Sequence, residues 1–182
     1  TSATASISTL TQVCSTVISE GGYSGFGRQY SISTPITTWK VLTTAATYYP
    51  IISIQLKSTR LDALVILNAI SMLGHSTPAA EIEWRLYLGT TLSGASWVSG
   101  SPSVEYDLTA STFTGGESSM TGYITASNAG SGPAFNVSRD ALFKYQLERN
   151  SLTSTPIILT LAATGSVNGA EIKASIGWEQ IV

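Results

Sequence analysis

Charge is what this sequence has least of. Asp, Glu, Lys and Arg make up 11% of its 182 residues, against about 25% in an average soluble domain. The net charge of -2 gives no steering field toward nucleic acid or an anionic membrane, so nucleic-acid binding is set aside. There is one cysteine, Cys14, and no disulfide can close within the chain. In "QVCSTVISE" it sits among strand formers and reads as a small buried hydrophobe rather than a nucleophile. There is one histidine, His75. One His and one Cys cannot build a zinc site, and Asp62, Asp107, Glu117 and Asp140 are scattered, so no metal and no cofactor is expected. The longest apolar run, "ALVILNAISML", is interrupted by Asn68 and Ser71 and is too short to span a bilayer. The opening "TSATASISTL" has neither the charged start nor the apolar centre of a signal peptide. A soluble protein with no membrane insertion is expected.

What fills the space is Ser and Thr, more than a quarter of the chain, set between short apolar segments. Residues 1–11 are small and polar and read as a flexible or extended N-terminal arm. From Gln12 to the end, strand and turn patterns follow one another. "PIISIQLKS" alternates Ile52, Ile54 and Leu56 with Ser53, Gln55 and Lys57. "EIEWRLYLG" alternates Ile82, Trp84, Leu86 and Leu88 with Glu81, Glu83, Arg85 and Tyr87. "GAEIKASIGWEQI" turns Ile172, Ala174, Ile176 and Trp178 inward. A period of two is the mark of a half-buried strand. "ALVILNAISML" reads as a strand buried on both faces, and "ASWVSG", "SVEYDL" and "SSMTGYITAS" as further strands. "TTWKVLTTAATYYP" fits a strand and loop or a short helix around Thr43 to Thr47. "RDALFKYQLERN" reads as mostly strand, with a helical turn at Ser138 to Leu142. The expectation is one all-β domain over residues 12–182: an antiparallel β-sandwich of 8–10 strands with little helix, a jelly roll being the version that fits this length.

Three constellations could carry chemistry. Gly74-His75-Ser76 follows an apolar strand and resembles a nucleophile elbow. Pro78 stands where the elbow wants a residue without a Cβ, another strand follows instead of a helix, and the one histidine flanks the serine when the triad needs a separate base. A polar loop between strands is the better reading. Glu81 and Glu83 lie roughly 7 Å apart on one strand face, within the spacing of inverting glycosidases. Those enzymes set the pair across a cleft, whereas here Arg85 continues the same face. Glu81, Glu83 and Arg85 read as a charge-paired ladder facing solvent or a neighbouring subunit, and no catalytic residue is assigned. The glycines of "GGYSGFG" lack phosphate-loop spacing. Among the aromatics, Trp84 and Trp178 belong to the core, while Tyr48, Tyr49 and Trp97 fall in or beside loops, where rings can stack on sugars or anchor an interface.

Taken together, "QVCSTVISEGGYSGFGRQYSIST", "EIEWRLYLGTTLSGASW", "SVEYDL" and the ending "EIKASIGWEQI" resemble a β-rich domain of virion structural proteins in tailed bacteriophages, marine and cyanobacterial phages especially. The similarity runs from about Gln12 to the C-terminus and involves no catalytic motif. It implies a non-enzymatic role on the virion, as capsid decoration or as part of a fibre or tail. The partners it implies are copies of the chain in a homotrimer and other virion proteins, such as the major capsid protein or tail components. The alternative on the same fold is a fibre-tip domain that binds a host-surface glycan through Tyr48, Tyr49 or Trp97.

Overall fold

The computed structural model describes residues 27–128, 135–137 and 145–181. Cys14, the Gly-rich segment up to Phe26, the N-terminal arm and Ser138 to Leu142 lie outside the described residues. Eleven strands and no helix are present among them: β1 (Arg28–Ser33), β2 (Lys40–Leu42), β3 (Tyr49–Leu56), β4 (Leu64–His75), β5 (Ala80–Ser93), β6 (Val98–Ser99), β7 (Val104–Asp107), β8 (Thr112–Ala126), β9 (Phe135–Val137), β10 (Leu159–Gly165) and β11 (Ala170–Ile181). They form one curled mixed sheet in the order β1-β11-β4-β8-β5-β10-β3-β7-β6, with β2 also on β11 and β9 also on β4.

Every ladder is antiparallel except β4–β8, which touch in parallel at the single pair Gly74↔Ala126. A Cβ on Gly74 would lie 3.0 Å from the Ala126 Cβ and 3.2 Å from Ile82 Cδ1. Glycine is what lets the two long strands meet there. Elsewhere the edge of β4 is taken up by β9 at Ile70–Met72 and by a bridge from Ile66 to Gln146. The described part of "RDALFKYQLERN" therefore contributes isolated bridges rather than a strand. Its alternation still has a use: Leu147 is 4% exposed and its N–H donates to Val65 O.

Neighbouring strands rotate in one sense, and the long sheet curls over on itself. Ser101 Oγ donates to Gln180 Oε1 at 2.9 Å, and Gln180 Nε2 donates to Ser103 Oγ at 2.9 Å. These bonds tie the β6–β7 turn to β11. The inside of the curl holds one continuous core: Ile52, Ile54 and Leu56 from β3, Ile82, Trp84 and Leu86 from β5, Leu159 and Leu161 from β10, Ile172, Ile176 and Trp178 from β11. Each such side chain contributes about 1.5–3 kcal/mol of burial free energy. Trp84 lies over its cross-strand partner Gly122, where a Cβ would come within 2.7 Å of the indole.

The alternations read from "PIISIQLKS", "EIEWRLYLG" and "GAEIKASIGWEQI" place the predicted residues inward. β4 is buried on both sides only over Val65–Leu67; from Asn68 onward its faces alternate. "TTWKVLTTAATYYP" resolves into the short strand β2 and turns, with no helix. β5 and β8 run much further than their text suggested, to 14 and 15 residues. A bulge between Leu86 and Tyr87 absorbs Ser119, whose Oγ donates to Leu86 O, and bends both strands.

Candidate functional site

The outer face of β5 carries carboxylate, guanidinium and phenol groups on one strand. Register explains its composition. Glu83 stands between Tyr123 of β8 and Thr164 of β10, and Arg85 between Thr121 and Ala162. Paired residues leave a sheet on the same side, so small β10 side chains alternate with long β5 ones across this face. Thr160 and Ala162 are 0% exposed although they lie on the outer side; Thr160 Oγ1 is hydrogen-bonded to the Ser53 and Thr90 hydroxyls at 3.0 and 2.7 Å. Arg85 Cζ is 4.8 Å from the Tyr48 ring centre, and Tyr48 and Tyr87 meet edge to face at 6.1 Å.

Glu83 organises this layer. Arg85 Nε and Nη2 both approach Glu83 Oε1, at 2.8 and 2.7 Å, and Thr121 Oγ1 donates to the same oxygen at 3.3 Å. The Tyr48 hydroxyl lies near enough to this carboxylate to interact with it. Desolvation acts to raise the Glu83 pKa, but Arg85, Tyr48 and Thr121 together outweigh it and hold the carboxyl below its ordinary range. Tyr48 moves upward, from desolvation first and from its bond to the Glu83 carboxylate second. A depressed carboxyl is the reverse of what a general acid needs.

Beside this layer opens a cleft of about 300 Å³ whose walls include Glu81, Glu83, Tyr48, Tyr123 and Thr164. One wall is the turn before β3. Ala46 N–H donates to Gly165 O at 3.1 Å, and Ala45 N–H donates to Asn168 Oδ1 at 2.7 Å, fixing that turn against the β10–β11 connection. Ala46 pays for this position with a φ of 59°, a left-handed conformation costly for a residue with a Cβ. Glu81 anchors the other side through its backbone: its N–H donates to Ser166 Oγ, and Ser166 N–H donates to Glu81 O.

Of the residues singled out in the sequence, Tyr48, Glu81, Glu83 and Arg85 come together here. Tyr49 does not; its hydroxyl bonds Thr43 Oγ1 at 2.7 Å. Trp97 lies half-buried between β5 and β6, in a segment held where Ser96 N–H donates to the buried Asp107 carboxylate. The Glu83–Arg85 pairing expected of the ladder is present. Tyr123, 66% exposed, and Thr164 were not picked out. "SSMTGYITAS" reads only as a strand, and the position of Tyr123 opposite Glu83 depends on the register of β8, which one sequence does not state.

The other candidates are simpler. His75 ends β4, its Nδ1 lies 2.8 Å from Glu171 Oε2, and after the four residues 76–79 strand β5 begins, not a helix. No group of three or more His, Cys, Asp or Glu able to hold a metal occurs among the described residues, and no helix there is long and apolar enough to cross a membrane. No protein-family model, curated protein or solved structure matches the chain.

Proposed function

We propose that this chain is a non-enzymatic structural domain of a tailed-phage virion, built on a jelly-roll-type β-sandwich and working through contacts with copies of itself, as a trimer, and with capsid or tail proteins. The observation that carries this reading is how little free charge reaches the surface. The 20 charged residues counted as 9 Lys and Arg plus 11 Asp and Glu are few to begin with, and the fold takes up many of them. Glu179 and Asp107 are each 1% exposed. Lys40 Nζ donates to Ala110 O, Glu83 and Arg85 hold each other, and Glu171 faces His75. Gln55 takes up Glu105, and the Lys173 ammonium sits 4.3 Å from the Trp39 ring centre. Free surface charge keeps monomers apart and soluble; a Ser/Thr surface without it suits a protein covered by neighbours. Exposed aliphatic residues at Ile36, Val41, Leu64, Val98 and Leu152 favour the same reading, as does the sequence resemblance. Light scattering during gel filtration tests it: a trimer is expected at micromolar concentration, and a monomer would remove the self-association claim.

A further inference from the structure

The cleft beside β5 has features that self-association leaves unused. It has a ring wall, Tyr123, 66% exposed to solvent. It has one carboxylate already satisfied, Glu83, and one that is not: Glu81 is exposed and makes neither of the two ion pairs found among the described residues. It also has an unanswered hydroxyl. Thr164 is 7% exposed, leaves the sheet on the same face as Glu83, lines the cleft, and its Oγ1 has no hydrogen-bond partner among the described residues. A buried hydroxyl without a partner costs about 1–3 kcal/mol.

From these features we infer that the Tyr123–Glu81–Thr164 cleft is a binding subsite for an uncharged sugar ring. The chemistry is complementary at each point. An exposed tyrosine face accepts the apolar C–H face of a pyranose. Glu81 is an acceptor for ligand hydroxyls, and charge-assisted hydrogen bonds are the strong ones. Thr164 forms part of the cleft wall, and its short side chain leaves room there for the ring. The volume of about 300 Å³ lies at the small end of ligand sites, enough for one ring of a longer glycan. The sign of the charge sets the specificity. Arg85, the nearby cation, is already spent on Glu83 at 2.7 Å, so the cleft presents net negative charge and disfavours uronates, sialates and sulfated sugars. Glu83 holds Tyr48 in place and is a positioning residue, not a sugar contact.

The site does not depend on the assembly role, and its test is separate from the measurement of oligomeric state. The wild-type chain is applied to a printed array of oligosaccharides ending in neutral hexoses, N-acetylhexosamines, uronates and sialates. Hits are titrated by calorimetry for wild type, Tyr123→Ala, Glu81→Gln and, in the exposed loop between β3 and β4, Arg60→Ala, with each melting temperature recorded. The expected result is binding to neutral or N-acetylated termini only. Tyr123→Ala should weaken it by about tenfold or more, Glu81→Gln should weaken it by a smaller factor, and Arg60→Ala should leave it unchanged. Because Tyr123 and Glu81 are exposed, both variants should melt with the wild type. The inference is overturned if no glycan binds at millimolar concentration, if anionic termini are preferred, or if Tyr123→Ala binds as tightly as the wild type. Should Tyr123→Ala prove unstable, Tyr123→Phe together with the ring resonances of Tyr123 under saturation transfer decides the matter. The ring must receive magnetisation from the sugar, and its failure to do so counts against the site.

Discussion

Two strands of this sheet carry similar text and end with different surfaces. β5 sets Glu81, Glu83 and Arg85 on its outer side; β11 sets Glu171, Lys173 and Ser175 on its own. Each borders a recess, of about 300 Å³ beside β5 and about 240 Å³ beside β11. On β5 the acid and the base two residues apart pair with each other, leaving Glu81 uncompensated. On β11 the acid reaches across to His75, its cross-strand partner, while Lys173 lies against Trp39 and donates to Ile36 O. No carboxylate and no aromatic ring lines the second recess, which is walled by Ser33, Ile36, Ser71, Leu73 and Lys173. On β5 one carboxylate is left without a partner; on β11 both charged side chains have one. The neighbours decide which occurs, and so decide which face has chemistry to offer.

If the difference between the faces is confined to their outer sides, their inner sides should be interchangeable in energy. Trp84 lies beneath the β5 face at 1% exposure and Trp178 beneath the β11 face at 0%. Replacing either by Ala should cost about 3–5 kcal/mol, read from urea denaturation. Similar losses for the two would show one continuous core under both faces. A Trp178→Ala variant that loses less than about 1 kcal/mol would break the comparison, because the β11 half would then be only loosely joined to the rest.

The inner sides of these strands were legible in the sequence and most of their outer sides were not. Alternation named Ile82, Trp84, Leu86, Ile172, Ile176 and Trp178 as inward because period two is a property of one strand alone. The cleft is a property of four segments. It needs Tyr123 in register with Glu83, small Thr164 on the next strand, and the Ala46 turn packed against Gly165. Register is set by turns and bulges, and the bulge at Leu86/Tyr87 leaves no mark in the text that separates it from regular alternation. The curl was equally hidden, since it rests on contacts between Ser101, Ser103 and Gln180, 77 to 79 residues apart.

A smaller effect separates the two outer faces by pH. The folded-state pKa of Glu83 is depressed, so the stabilisation it shares with Arg85 is present above the ordinary carboxyl value of 4.5 and is lost as pH falls through the lower folded value. Arg85→Ala should therefore lower the melting temperature at neutral pH, and the gap to wild type should narrow on acidification below that value. The pair is part-exposed, with Arg85 at 36%, so its whole worth is at most about 1 kcal/mol. Lys173→Ala should show no such narrowing, because a tryptophan ring and a backbone carbonyl do not titrate. A constant gap for Arg85→Ala between pH 7 and pH 3 would mean that Arg85 acts by packing on Tyr48 and not through Glu83.

The smallest effect tests whether the cleft wall is held under strain. Ala46 has a φ of 59°, where a side chain costs about 1–2 kcal/mol. Glycine removes that cost but adds about 0.5–1 kcal/mol of unfolded-state entropy. Ala46→Gly should accordingly stabilise the fold by a net of about 0.5–1 kcal/mol, seen as a small rise in melting temperature. The turn facing the β11 recess offers no equivalent, since no left-handed non-glycine residue occurs among its described residues 34–39. If Ala46→Gly instead destabilises, the methyl group must be packing in a way that repays its backbone. The turn would then be held by its own contacts, and the cleft would be shaped by side chains more than by the bonds from Ala45 and Ala46 to Asn168 and Gly165.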